Sequence, residues 1–280
     1  MERILITGAS GKVGKAILRF FTPTQEQELY LATRSKNPLA THQLYFDLED
    51  AEGSAHSLEK VDTLFLLRPP QISDVQTYFS PLVYTAEQKG IKHIVFLSVQ
   101  GAEKRPLIPH ARIEKLIDRS SIARTFIRPS YFMQNLTDAL LEDIRERNRI
   151  FLPAGRAKFR WVDVSDVGKA IAAILNRTKA HAGKAYTIAG RELLSFDRVA
   201  AMLSDALGRE IRYISPNPIE FFLSKKKQGM KTSFVLVLIM LHYLPRFQSA
   251  PPVSEDLKLL TGKRPTTLKE FIDTHLQQWQ

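Results

Sequence analysis

The sequence contains no cysteine. That absence removes disulfides, thiol nucleophiles, cysteine-held zinc and iron–sulfur clusters together, and it leaves any redox chemistry to a bound cofactor. Long hydrophobic runs are also lacking. The most apolar stretch, residues 234–241 (FVLVLIML), falls well short of the roughly 20 residues that cross a bilayer. It is expected to be a buried helix or a substrate-pocket wall, with interfacial membrane contact as the alternative. Residues 1–4 enter a strand pattern directly, without a charged and apolar leader, so the expected location is the cytoplasm. The seven histidines form no H-E-x-x-H or other closely spaced ligand set, and no G-x-S-x-G element is present. Metal-assisted and serine-hydrolase chemistry are therefore not expected.

Acidic residues are the scarcer charge: 29 Asp and Glu face 40 Lys and Arg, for a formal net charge of +11. A basic chain favours polyanionic partners, from a nucleotide phosphate to a nucleic acid, without choosing among them. The densest run, Lys225-Lys226-Lys227, has no interleaved aromatic residues and matches no nucleic-acid motif. A solvated loop is the expectation there.

With 280 residues and 44% apolar content, the chain can bury one large core, or one core plus a smaller lobe. In the first half, short β-rich runs at residues 3–7, 29–33, 43–46, 63–67, 93–98 and 125–127 alternate with helical patterns. Residues 12–21 place Val13, Ile17, Phe20 and Phe21 on one helical face, and residues 75–89 repeat the pattern. This alternation predicts an α/β, doubly wound parallel sheet of Rossmann type. After Pro129 the rhythm loosens. A helix is expected over residues 135–147, strands near 160–164, 185–189 and 209–214, and helices capped by Ser165-Asp166, Ser195, Ser254 and Thr267. The expected division is a dinucleotide-binding domain over residues 1–150, also taking in about 157–190, followed by a smaller α/β substrate lobe over 191–280.

The most specific signal is residues 4–14, ILITGASGKVG: an apolar strand, three glycines at spacing three, and the start of an amphipathic helix. Gly8 permits the sharp turn, Gly11 lets backbone amides approach a pyrophosphate, and Gly14 lets helix and strand pack closely. Ser10, Lys12 and Val13 supply the rest of that cradle at the positive end of the helix. The spacing departs from G-x-G-x-x-G, and Gly11-Lys12 is not followed by Ser or Thr, so a P-loop is absent. At the end of the second strand, where an acidic residue would hold the ribose of NAD, the chain has Arg34-Ser35-Lys36. Arg34 would complement a 2′-phosphate instead, so NADP(H) is expected over NAD(H).

Together with Gly8, Gly11, Gly14 and Arg34, several later segments resemble the NmrA-like family, an atypical branch of the short-chain dehydrogenase/reductase superfamily. The matching pieces include residues 46–48 (FDL), 65–70 (FLLRPP), 90–98 (GIKHIVFLS), 110–115 (HARIEK), 128–135 (RPSYFMQN), 161–167 (WVDVSDV) and 260–265 (LTGKRP). The resemblance implies that Asp47 and Leu48 lie beside the adenine. It further implies that Leu67, Arg68 and Pro69 pass under the ribose region, and that Pro129, Tyr131 and Phe132 border the nicotinamide. Bland roles stay open: Asp47 as a strand-end cap, Arg68-Pro69-Pro70 as a rigid loop, Pro129 as a strand end.

Active short-chain dehydrogenases use a tyrosine and a lysine one helical turn later. Here no tyrosine lies between Ser98 and Arg128, which excludes that pair. His110 and Glu114 share a helix face, with Lys115 about 100° away. His110 is then either a proton donor or substrate-binding group tuned by Glu114, or a helix-start residue that Glu114 merely orients. Ser98 matches the family's serine position and could polarise a carbonyl, or it could be a turn residue. The resemblance implies an NADPH-dependent reductase of a small quinone-like, conjugated carbonyl or planar apolar acceptor. The alternative is a non-catalytic NAD(P) sensor of NmrA type acting on a protein partner.

Overall fold

The computed structural model describes residues 1–37 and 40–280. Two compact units are interleaved along the chain. The first is built from Met1–Pro129, Val164–Ile188 and Glu255–Arg264, the second from Ser130–Asp163, Ala189–Ser254 and Pro265–Gln280. The expected division set residues 1–150, with about 157–190, against 191–280, and the two units differ from it in detail. Residues 130–163 join the second unit, and a short late segment returns to the first.

The strands of the first unit are β1 (Glu2–Ile6), β2 (Gln27–Thr33), β3 (Gln43–Tyr45), β4 (Thr63–Leu67), β5 (His93–Leu97) and β6 (Ala123–Pro129). In the second unit β7 (Tyr131–Phe132), β8 (Arg149–Phe151) and β9 (Lys158–Val162) follow. The chain then returns to the first unit for β10 (Ala185–Ile188) before β11 (Leu193–Ser195) and β12 (Arg212–Ile214) in the second. Helices α1 (Lys12–Phe20), α2 (Ala51–Leu58), α3 (Val75–Gln88) and α4 (Pro109–Asp118) connect the first six strands, and α5 (Leu141–Arg147) lies in the second unit. Helices α6 (Val164–Leu175) and α7 (Thr178–His181) lead to β10. The second unit adds α8 (Phe196–Leu207), α9 (Pro218–Lys227), α10 (Thr232–Tyr243) and α12 (Leu268–His275), while α11 (Asp256–Thr261) belongs to the first.

The main sheet is parallel throughout, in the order β10-β6-β5-β4-β1-β2-β3. Its central strands are apolar without alternation, as expected where helices cover both faces: all of His93–Leu97 is buried, and so are the first four residues of Thr63–Leu67. Strand order reverses at β1, with β2 on one side and β4 on the other. In such a sheet the crevice at the strands' carboxyl ends, at that reversal, is where ligands bind. The expected strand near residues 185–189 forms the seventh strand of this sheet, paired with β6 through Ala185↔Phe126 to Ile188↔Pro129.

Close packing also depends on two small contacts within this unit. A Cβ on Gly168 of α6 would come within 2.6 Å of Ala16 on α1, so these helices touch backbone to backbone. Thr7 bonds to β4 twice through its side chain: its Oγ1 donates to the Phe65 carbonyl at 2.9 Å and accepts from the Leu67 amide at 3.0 Å.

The second unit has its own core, with Trp161, Trp279, Phe196, Phe221 and Phe271 fully buried. Both indole N–H groups find carbonyls, Trp161 at Leu194 and Trp279 at Leu136, so neither large ring leaves a donor unpaired. Three expectations fail locally. The helix foreseen over residues 135–147 is a short 3₁₀ turn (Met133–Thr137) and then α5, because Asp138 leaves helical geometry at φ −127°, ψ −95°. Glu255, not Ser254, is the N-cap of α11. The Lys225–Lys227 run ends α9 rather than forming a solvated loop, and Lys225 is buried on Asp143 at 3.0 Å. Ser195 and Thr267 cap as expected, Thr267 in a reciprocal pair with Glu270.

Candidate functional site

In the first unit the glycine turn sits at the carboxyl end of β1. Gly8 adopts φ +64°, a region open to glycine at little cost, and its carbonyl accepts the Gly11 amide at 2.9 Å. A Cβ on Gly14 would lie 2.3 Å from the Gly8 oxygen and 2.5 Å from Ala9 Cα. Gly14 is thus required by the approach of helix to turn. A Cβ on Gly11 would meet only the Gly8 oxygen, at 3.2 Å.

Gly11 is the N-cap of α1 and supplies no capping side chain, and no acidic residue occupies the first turn. Ser10, Gly11 and Lys12 are exposed, whereas Val13 packs inward and offers only its backbone. Leu67, half buried, lies beneath the turn, its Cδ2 3.4 Å from the place a Gly8 Cβ would take. An uncapped helix start with an open glycine in front is a fitting cradle for a pyrophosphate.

Beyond β2, Arg34 is exposed and forms no ion pair among the described residues, while Ser35 and Lys36 are engaged locally. Lys36 reaches Asp50 at 3.6 Å and lies over the Tyr45 ring. Asp47 follows β3 and behaves as a turn cap: its Oδ1 accepts the Glu49 amide at 3.0 Å, and its amide and carbonyl both bond to Ser54 Oγ. Leu48 is a core residue, 7% exposed.

The loop after β4 is fastened by Arg68. Its Nη1 donates to the carbonyls of Pro69 at 3.1 Å, Pro70 at 3.2 Å and Ile72 at 2.5 Å. Its Nε donates to His110 Nε2 at 3.3 Å. An accepting nitrogen carries no proton, so the His110 proton sits on Nδ1. Burial, and then the Arg68 charge, push His110 from 6.5 down to about 3.

Glu114 is not the partner of His110. It turns to Arg128 on β6, accepting from Nε at 3.0 Å and Nη2 at 2.6 Å, and Glu103 takes Nη1 at 3.1 Å. The fork of a guanidinium satisfies a carboxylate better than a neutral ring does, and Arg128 has the reach to claim it. Both sequence readings of Glu114 as tuning or orienting His110 are corrected accordingly. The pair Arg68–His110 has no local signal, since its members lie 42 positions apart.

The end of β5 holds a further observation that sequence reasoning only half reached. Ser98 is buried and its Oγ has no partner among the described residues; Gln100 Nε2 in the next turn is likewise buried and unpartnered among them. Burying such groups without a bond is costly, so both are suited to a ligand's carbonyl or amide. Gln100 was missed because a single glutamine in a loop carries no pattern.

In the second unit Tyr131 lies in an aromatic cluster, with ring centres 4.7 Å from Trp161, 5.0 Å from Phe159 and 5.8 Å from Phe196. Phe132 beside it is half buried. The Tyr131 hydroxyl donates to His242 Nε2 at 2.9 Å, because His242 Nδ1 must donate to the Leu238 carbonyl at 2.7 Å. Burial raises the phenol and lowers His242 to about 4, so both stay neutral. Tyr131, His242, Leu140, Leu152, Phe221 and Phe234 help to line a cavity of about 50 Å³. Planar acceptors need several hundred Å³, so this cavity as it stands admits water-sized guests only. Among the described residues no cluster of His, Asp and Glu could hold a metal ion, and no helix is long and apolar enough to cross a membrane.

A doubly wound parallel sheet with this glycine turn at its reversal defines a Rossmann-type nucleotide-binding fold. The chain belongs to the NmrA-like family, whose profile matches residues 1–272. It is 27% identical over 284 residues to an NAD(P)H azoreductase of Xenophilus azovorans, covering 97% of both chains. In fold it is similar to an NADPH-dependent quinone oxidoreductase of Escherichia coli solved with NADPH, at TM-score 0.83 and 23% identity over 98% of this chain and 99% of that one. It is also similar to NmrA, a negative transcriptional regulator solved with NADP, at TM-score 0.74 and 16% identity over 96% and 94%.

Proposed function

We propose that the protein is an NADPH-dependent oxidoreductase that reduces a small, planar, quinone-like or conjugated carbonyl acceptor. The observation that carries this reading is the turn at Gly8, Gly11 and Gly14, open at an uncapped helix start. The reductases among its relatives support it. When bound, the reduced nicotinamide supplies the hydride.

In this reading Ser10, Gly11, Lys12 and Val13 offer the pyrophosphate backbone amides and one cation. Leu67 and Pro69 floor the site through the loop that Arg68 holds rigid, and Asp47 and Leu48 shape the adenine end by backbone and turn. Pro129, at the end of β6, borders the nicotinamide. Ser98 Oγ and Gln100 Nε2 hold a carboxamide or an acceptor carbonyl, and His110 donates a hydrogen bond through Nδ1 without giving up its proton. The smaller unit is the substrate lobe.

Arg34 sets the cofactor preference by pairing with a 2′-phosphate. Arg34→Ala is expected to weaken NADPH binding about tenfold and to leave NADH unchanged, as loss of one exposed charge-assisted contact should. Fluorescence titration of both cofactors checks this, and equal weakening of both would reject the assignment. The activity itself is tested by following NADPH oxidation with a panel of quinones and azo dyes. Tight NADPH binding with no oxidation by any acceptor would sink the reductase reading.

A pH profile tests His110. Because its imidazole is held at about 3, far below 6.5, it gains no proton as pH falls from 8 to 5. The profile of kcat should therefore show no His110 limb in that interval, although His110→Ala lowers the rate. A limb near pH 6.5 that disappears in His110→Ala would contradict the geometry.

The second reading is a non-catalytic NAD(P) sensor that acts on a protein partner. It is favoured by a neutral His110 already committed to Arg68 and by the absence of the Tyr-Lys pair. Similar affinity for oxidised and reduced cofactor, with a partner retained by the loaded protein, would select it.

A further inference from the structure

Helix α10 was expected to be a buried helix or a pocket wall, with interfacial membrane contact as the alternative; Phe234, Leu238, Leu241 and His242 do line the small cavity, yet of the helix's twelve residues only Val235 and His242 are buried. Val235, Leu238, Ile239 and His242 lie within one arc and face inward, the first and last buried and the middle two half buried. The opposite arc is equally apolar and faces solvent: Leu236 is 54% exposed, Val237 40%, Met240 43% and Leu241 45%. The chain continues the patch with Leu244 and Phe247, 46% and 71% exposed. On α9, Ile219 and Leu223, one helical turn apart, add two more exposed apolar side chains. A contiguous apolar surface of this kind marks an interaction site.

Its rim is basic. Lys226, Lys227, Lys231 and Arg246 are exposed around it, and between residues 219 and 247 Glu220 is the only acidic residue. The helix has too few residues to cross a bilayer. It does suit lying in the interface, with its outer arc among acyl chains and the lysines at the headgroups.

We infer that α9, α10 and the turn after them dock the protein peripherally on an anionic lipid bilayer. Charge complementarity favours this occupant over a second copy of the chain. A two-fold contact through the same patch would set Lys226, Lys227, Lys231 and Arg246 against their own equivalents, on a molecule already at +11. An anionic headgroup layer neutralises the same residues.

The test is vesicle flotation of the full chain with phosphatidylcholine alone and with phosphatidylcholine containing phosphatidylglycerol. Two variants accompany it: Leu236→Ser/Met240→Ser/Leu244→Ser, and Lys226→Glu/Lys227→Glu/Lys231→Glu. All six positions are exposed, and none lines the cavity beside Tyr131 and His242. Circular dichroism and melting of each variant verify folding before flotation. The expected result is flotation with anionic vesicles that falls with added salt, and a loss of at least about tenfold in partition for each folded variant. No flotation of the wild-type chain with anionic vesicles would overturn the inference. So would partition unchanged by the variants, or a dimer in sedimentation that the Ser variant dissociates and vesicles do not.

Discussion

Replacing Gly14 by alanine is expected to remove NADPH binding and to lower stability by about 3 kcal/mol or more, at the top of the usual range for overpacking. The added Cβ would stand 2.3 Å from the Gly8 carbonyl oxygen, 2.5 Å from Ala9 Cα and 2.7 Å from the Ala9 oxygen. All three are backbone atoms, so no rotamer change relieves the contact. Either α1 slides away from β1 or the turn opens, and both displace the amides that would face the pyrophosphate. Gly11→Ala provides the contrast. Its Cβ meets one atom at 3.2 Å, and Gly11 has φ −78°, which alanine adopts freely. That variant should fold with a loss below about 1 kcal/mol, yet carry a methyl group on the face where a ligand approaches. Thermal melting and NADPH titration of the two variants should therefore separate: one loses fold and binding, the other mainly binding. A Gly14→Ala protein that melts and binds like wild type would refute the role given to the turn.

Glu114→Ala is expected to cost about 2–3 kcal/mol, somewhat below the usual cost of breaking a buried ion pair because Glu103 still faces Arg128. The side chains of Glu114 and Arg128 are 8% and 16% exposed, so water replaces the lost carboxylate poorly. The guanidinium is then left with one partner instead of two, in a site whose hydrogen bonds to Glu114 now raise its pKa. Denaturant unfolding of Glu114→Ala and Glu114→Gln measures this. Glu114→Gln keeps an acceptor oxygen and should lose less. Because Glu114 does not touch His110, neither variant should introduce a histidine limb into the pH profile. A loss under about 0.5 kcal/mol for Glu114→Ala would show that the pair contributes no more than an exposed one.

The parts of this molecule that were legible in the sequence are those whose determinants are contiguous. Strand β4 was anticipated residue for residue, and β1 and α1 to within one position, since burial on both faces and a 3.6-residue repeat are written locally. The glycine turn was legible for the same reason: Gly11 and Gly14 each meet atoms fewer than seven residues away, and Gly8 is required by its own backbone angle, φ +64°.

Side-chain partners were not. A helical wheel places His110 and Glu114 on one face, but it contains no term for Arg68 or Arg128, which come from β-strand ends elsewhere in the chain. Guanidinium groups compete for acceptors across such distances, and here each took one member of the expected pair. Burial of helix α10 was misjudged for a different reason. An apolar sequence reports how favourable burial would be, and not whether protein is available to cover it. The end of one helix at Asp138 likewise reflects a backbone geometry that no preceding glycine or proline announces.

The claim on which the functional account rests is that the Gly8–Gly14 turn receives a dinucleotide through its backbone. Its most direct test is an equilibrium titration of NADPH, read by nicotinamide fluorescence, on wild type and on Gly11→Ala shown by melting to be folded. The account predicts saturable one-site binding to the wild-type chain and at least about tenfold weaker binding to Gly11→Ala, as expected when a close backbone approach is blocked. Absence of binding to the wild type, or identical affinity in the two proteins, would contradict it.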